Sequence, residues 1–142
     1  MDYGKTPVLT ANKAFVLGYT NELRTFNNKS IIFDDFTLES KYVDFPYMVK
    51  SSAIKILEVR DENKDDLFFN YNLLNSTKIE ILGHARHYIS IVQPTVVRSP
   101  LTHEQKKVSD LFKNIDNLIT LHQRKHDKLN KIKQSLLNDM FV

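Results

Sequence analysis

Residues 101–141 read LTHEQKKVSDLFKNIDNLITLHQRKHDKLNKIKQSLLNDMF, with no Gly or Pro to interrupt them. Val108, Leu111, Phe112, Ile115, Leu118, Ile119, Leu129, Ile132, Leu136 and Met140 recur at three- and four-residue spacing, which places them on one face of a helix. Directly after Pro100, Thr102 and Gln105 form the Thr-x-x-Gln pattern whose side chains can satisfy free backbone N–H groups at a helix start. The spacing predicts one helix of about 39 residues, roughly 58 Å long. A 100-residue globule has a radius of gyration of only about 13 Å. The helix is therefore expected to overhang its own domain, and an overhanging apolar stripe calls for a partner helix to cover it. A break near the polar middle, residues 122–128, would instead leave two shorter helices on one small core.

The front of the chain reads as short strands separated by turns. Residues 7–10, 14–19, 30–33, 42–50, 53–60, 78–82 and 88–97 are rich in β-branched or alternating apolar side chains, the last run interrupted by Pro94. One helix interrupts them: Leu67, Phe68, Tyr71 and Leu74 fall at helical spacing after Asp65 and Asp66, two acids suited to a helix N-terminus. The expected fold class is α+β: a small, mixed, β-rich domain over residues 1–100, then a long helix over residues 101–142.

Composition narrows the function classes. The chain has 142 residues, one domain's worth with an appendage, and no cysteine, which excludes disulfides, thiolate metal sites and cysteine nucleophiles. No run approaches the roughly 18 apolar residues of a membrane span, and the N-terminus lacks a signal-peptide pattern, so a cytoplasmic, non-membrane protein is expected. Residues 1–100 carry 12 Lys and Arg against 12 Asp and Glu, whereas residues 101–142 carry 8 against 5, so the formal charge of +3 arises in the tail. Any nucleic-acid contact by the front must come from local clustering of cations.

The tail also resembles the conserved helical region of type I restriction-modification DNA-specificity subunits. That region opens with Pro, an apolar residue and Glu-Gln, met here by Pro100, Leu101, Glu104 and Gln105. It continues through Ile115, Asp116, Leu118 and Ile119 to Gln123, Arg124 and Lys125, and closes with Lys133, Leu136, Leu137, Met140 and Phe141. Upstream, SIIFDDFTLESKYVDFPYMVKSSAIKIL (30–57) and ARHYISI (85–91) are similar to the later part of the family's target-recognition domain. The family carries two recognition domains and two conserved helices. Here one helix follows a recognition domain that begins part-way, so a fragment or half-subunit is expected. His126 stands where the family more often has Leu.

The resemblance implies a non-enzymatic protein without cofactors. Its recognition domain would read one half of a split site in double-stranded DNA. Its helix would pair antiparallel with a second copy, giving a homodimer, and dock methyltransferase (modification) subunits and, through them, restriction subunits. Two copies about a two-fold axis imply two inverted half-sites. At 3.4 Å per base pair, a helix near 58 Å limits their separation to something on the order of ten to seventeen base pairs. The alternative is a truncated subunit that no longer reads DNA and acts as a competitor through its coiled-coil helix.

For DNA contacts the candidates are Arg86, His87 and Tyr88, expected in a polar turn between two strands, then Lys41 and Tyr42, then Asn12 and Lys13. Arg and Lys donate to guanine edges or phosphates, Asn pairs with adenine, and Tyr meets sugar or phosphate. Against Arg86 and Lys41 stands an ordinary solvated charge or a structural ion pair with neighbouring acids. Asp34 and Asp35 would repel phosphates, so their loop is expected to face away or to hold a lysine. His122 and His126 lie four apart on the partner-helix face, a spacing that can bind metal, but no third ligand is evident and a register-setting polar patch is preferred. No catalytic site is expected: the acid pairs are adjacent in sequence rather than opposed, and the three glycines form no phosphate loop.

Overall fold

The computed structural model describes residues 3–80 and 86–141. The elements are β1 (Thr6–Leu9), β2 (Val16–Thr20), β3 (Ser30–Asp34), β4 (Ser40–Val43), β5 (Ile54–Leu57), α1 (Leu67–Ser76), a π-helical turn (Tyr88–Val92) and α2 (Thr102–Met140). The chain is thus α+β, with two small antiparallel sheets and one long C-terminal helix among the described residues. It divides into two compact units, residues 1–105 and 106–142.

In the first unit, β3 is the middle strand of the sheet β4-β3-β5, antiparallel to both neighbours. Its run Ser-Ile-Ile-Phe-Asp is buried at every position, as a strand covered on both faces requires. On one face Ile32 joins Leu9, Ala11, Val43, Tyr47 and Ile54 in the core. Side chains alternate along a strand, so Phe33 and Tyr42 turn to the other face. There Tyr42 meets Phe68 of α1 edge-on at 5.1 Å between ring centroids, and Phe33 meets Tyr88 at 5.8 Å.

The hairpin β1-β2 covers the core face through Leu9 and the 47–48 segment, where Leu9 N–H donates to the Met48 carbonyl at 2.7 Å. Residues 44–50, expected to continue a strand from Tyr42, leave the sheet after Val43. They make only isolated bridges, Tyr47 with Phe26 and Met48 with Val8. Pro46 interrupts the run, and Tyr47 turns inward, where its hydroxyl lies 2.6 Å from that of Ser30. Burial raises the pKa of Tyr47, against the hydrogen bond from Ser30, which lowers it; Glu58 adds to the rise.

Helix α1 begins as expected from its acids: Asp66 is the N-cap and its carboxylate accepts the Phe69 N–H at 2.8 Å. The strand expected over 88–97 is not formed. Tyr88–Val92 coil into a π-helical turn, closed by the Val92 N–H on the His87 carbonyl and the Gln93 N–H on the Tyr88 carbonyl. Of the strand expected over 78–82, residues 78–80 are irregular and 81–82 lie outside the described residues.

Helix α2 runs unbroken through its polar middle, so the two-helix alternative is overturned. Its start is built differently from the expected Thr102–Gln105 box. Leu101 is the residue whose carbonyl accepts the first helical N–H groups, and Glu104 returns its carboxylate to the Leu101 N–H at 3.2 Å. That is half of a capping box, shifted by one residue. Thr102 and Gln105 instead fasten this first turn to the start of α1. The Thr102 hydroxyl donates to the Lys64 carbonyl at 2.7 Å, and Gln105 Oε1 accepts the Asp66 N–H at 2.8 Å. In the second unit, every described residue from 110 to 141 is exposed, including Leu111, Leu118, Leu129 and Leu136. No helix among the described residues is long and apolar enough to cross a membrane.

Candidate nucleic-acid interface

The candidate site is built where β3 ends. Asp34 and Asp35 follow its apolar run and would carry two charges into a turn, yet both carboxylates are consumed locally. Asp34 Oδ1 accepts the N–H groups of Phe36 and Thr37 at 2.9 and 3.0 Å, capping the β3–β4 turn.

Asp35 points the other way and is 2 % exposed. Its Oδ1 accepts the Tyr88 N–H at 2.7 Å, its Oδ2 lies 3.5 Å from Lys55 Nζ, and its backbone carbonyl accepts the His87 N–H at 2.9 Å. The Asp35 loop therefore holds a lysine, one of the two alternatives expected for it. A carboxylate with a cation and an N–H donor satisfies the rule that buried charge must be paired.

This knot ties residues 86–88 to the sheet. Arg86 is exposed and its guanidinium carbon stands 5.7 Å from the centroid of the half-exposed Phe36 ring, a cation–π geometry that limits the side chain's freedom. Tyr88 is half-buried against Phe33. His87 is 1 % exposed, with Nδ1 3.3 Å from the Asp35 carbonyl. These three residues were expected in a polar turn between strands. They instead precede and open a π-helical turn, and the imidazole is turned into the protein.

The other candidates occupy different settings. Lys41 and Tyr42 both lie within β4. Lys41 is half-buried and pairs across the ladder with Ile32. Tyr42 packs into the aromatic cluster with Phe68 and Tyr71. Burial raises its pKa first, and the charges of Asp44, Asp66 and Glu62 raise it further. Asn12 and Lys13 are exposed on the β1–β2 turn, where the Thr10 hydroxyl donates to Asn12 Oδ1 at 2.5 Å and the Phe15 N–H to the Asn12 carbonyl at 3.0 Å.

Sequence reasoning missed Asp35, Phe36 and Lys55 as parts of the site. The one signal available was the acid pair at the end of a wholly apolar strand, which needs partners wherever it is buried. Of the two helix histidines, His126 is exposed and approached by Asn130 Nδ2 at 3.3 Å; His122 is exposed as well. Among the described residues no group of three or more His, Cys, Asp or Glu is placed to hold a metal ion.

An exposed arginine anchored on an aromatic ring, beside a half-buried tyrosine and a partly exposed lysine, can donate to phosphate or base edges. Comparison with known proteins identifies the family. Residues 1–131 match the family described as type I restriction modification DNA specificity domain. A curated relative, the type I restriction enzyme EcoR124I/EcoR124II specificity subunit of Escherichia coli, is 36 % identical over 146 residues. That alignment covers 94 % of this chain and 36 % of the relative, so the chain spans about a third of its relative's length. No solved structure matches. The match across nearly the whole chain places it in the family: this protein belongs to the type I restriction modification DNA specificity domain family.

Proposed function

We propose that the chain is a DNA-recognition module of a type I restriction-modification complex, reading one half of a bipartite duplex site and carrying no catalysis of its own. The observation that carries this reading is Arg86, exposed and seated on Phe36, at a corner fixed to the sheet by Asp35. A preordered cation loses little freedom on meeting a base edge or phosphate. Lys55, Tyr88 and, on a separate turn, Asn12 and Lys13 supply further donors. In this reading Lys41, half-buried in β4, contributes a phosphate contact. Tyr42 and His87 act through position, holding α1 and the 86–88 segment in place.

In the same reading residues 1–100 form the DNA-reading part, and α2 is the assembly element. It pairs with a second copy and docks adenine methyltransferase (modification) subunits, which bring restriction subunits with them. The support is the long exposed apolar stripe on α2, of a kind that monomers seldom leave in water. Antiparallel pairing puts the two helix N-termini apart, so the preferred DNA carries two inverted half-sites.

The test is selection of bound duplexes from a randomised pool by the purified chain. Enrichment of two inverted half-sites at one fixed spacing, on the order of ten to seventeen base pairs, is the expected result. A pool that enriches nothing, from a protein that still self-associates, overturns DNA reading and leaves a competitor that acts through its helix alone.

A further inference from the structure

Phe36 is a large apolar ring left in water. Phe33, three residues earlier, is buried and meets Tyr88. Phe36 keeps 41 % of its surface exposed with the Arg86 guanidinium already over its ring, 5.7 Å from the centroid. Among the described residues that guanidinium is the one charged or aromatic group set against it. We propose that Phe36 is a specificity-determining residue whose ring reads the C5-methyl group of a thymine in the major groove. This rests on the reading that the chain recognises DNA, and gives Phe36 a role there beyond seating Arg86.

The backbone that presents the ring is held from both sides. The Asp35 N–H donates to the Ala53 carbonyl at 2.9 Å, and Asp34 Oδ1 accepts the N–H groups of Phe36 and Thr37. The turn then closes twice on Asp34. Its carbonyl accepts the Leu38 N–H at 3.0 Å, and its N–H donates to the Glu39 carbonyl at 2.9 Å. Leu38 has a φ of 60°, in the left-handed region that a bulky side chain rarely enters. Such backbone persists only where surrounding contacts over-determine it, and it gathers at functional sites. Phe36 is left with its two side-chain torsions, which Arg86 restrains, so the ring loses little freedom on meeting a ligand.

The chemistry of the ring selects what it can touch. A phenyl group has no donor for a phosphate, and the adjacent Asp34 and Asp35 make the duplex backbone a poor neighbour. A wedge driven between base pairs stacks on both faces of its ring, and here Arg86 occupies one face. Apolar contact with a base edge remains, and in the major groove the thymine methyl is the apolar group that a base pair presents. Arg86 sets where that thymine lies. Base pairs rise about 3.4 Å, so groups 5.7 Å apart reach base pairs no more than two steps apart. The thymine therefore lies within two base pairs of the base at which Arg86 discriminates.

The experiment uses the full chain and a duplex that it selects from a randomised pool. Each thymidine of the half-site is replaced in turn by deoxyuridine, which lacks only the methyl group, and binding is read by fluorescence anisotropy at fixed salt. The expected result is a loss at one thymine of about fourfold per methyl removed, the worth of one buried methyl group. Phe36→Ala should bind the thymine and uracil duplexes equally. Phe36→Leu, which keeps an apolar tip and guards against a variant that fails to fold, should retain part of the penalty. The position at which Arg86→Ala relaxes discrimination should lie within two base pairs of that thymine, and a more distant position overturns the shared placement. Deoxyuridine silent at every position, or a half-site without thymine, overturns the role of Phe36 while DNA reading stands. So does a uracil penalty undiminished in Phe36→Ala, which sets the methyl contact on another residue. Affinity lost in Phe36→Ala with no uracil penalty in the natural chain would show a stacking wedge, and overturns methyl reading as well. A chain that selects no duplex overturns DNA reading itself, and this role with it.

Discussion

Asp35 Oδ1 accepts the backbone N–H of Tyr88 at 2.7 Å, joining the end of β3 to a segment 53 residues further along the chain. The same carboxylate faces Lys55. One buried side chain thus fixes the backbone beside Arg86 in the candidate interface.

Asp35→Ala removes the acceptor of a buried N–H and leaves Lys55 without its counter-charge. The expected loss is about 1–3 kcal/mol in urea unfolding, with DNA affinity falling further than stability alone explains. Asp35→Asn keeps one acceptor and should recover part of both. Equal stability of all three proteins would show the contact to be idle.

Arg86→Ala leaves the packed sheet untouched, so stability should change by less than about 0.5 kcal/mol. Affinity for a selected duplex should fall about 10- to 100-fold if the guanidinium reads a base edge, and discrimination at one position should relax. A contact to phosphate would instead weaken all duplexes alike and lower the salt dependence. An unchanged isotherm removes Arg86 from the interface.

Gln105→Ala tests the fastening of the first α2 turn to α1. It strips the Asp66 N–H of its acceptor and the Ser99 hydroxyl and Pro100 carbonyl of a donor. A loss of about 1–3 kcal/mol is expected by urea unfolding. Thr102→Ala should cost less, since its hydroxyl bond to Lys64 is exposed.

Tyr42 and Tyr47 both have raised pKa values, with burial as the first cause. Folding favours their neutral forms. Their contribution is therefore fully present below the ordinary tyrosine value of about 10 and is lost as pH rises through the higher folded values. Ultraviolet titration should show part of the phenolate absorbance appearing late, together with loss of structure. Tyr47→Phe should remove part of that late fraction and cost about 0.5–1.5 kcal/mol at neutral pH through the hydroxyl pair with Ser30.

The elements legible in the sequence were those with a long or clean period. Helix α2 was read from its uninterrupted apolar stripe, α1 from Leu67, Phe68, Tyr71 and Leu74 behind its acids, and β3 from its β-branched run. The failures lie where a short apolar run has no period of its own. Tyr-Ile-Ser-Ile-Val suits a strand by composition, but Asp35 captures the Tyr88 N–H and the segment coils instead. Tyr42 was legible as an exposed donor because tyrosine is amphipathic. Only the packing of Phe68 and Tyr71 around it assigns it to the aromatic cluster. The helix cap was displaced by one residue because Thr102 and Gln105 have acceptors and donors in the 64–66 turn, contacts that no local pattern encodes.

The central claim, that this chain reads DNA sequence, is tested most directly by fluorescence anisotropy at fixed salt. The comparison is between the selected inverted-repeat duplex and a scrambled duplex of equal length. The expected ratio of affinities is about 10³ or more, falling toward unity when the half-sites alone are scrambled. A ratio near one for the folded chain, whatever the absolute affinity, would contradict sequence reading and reduce any binding to the charge of the basic tail.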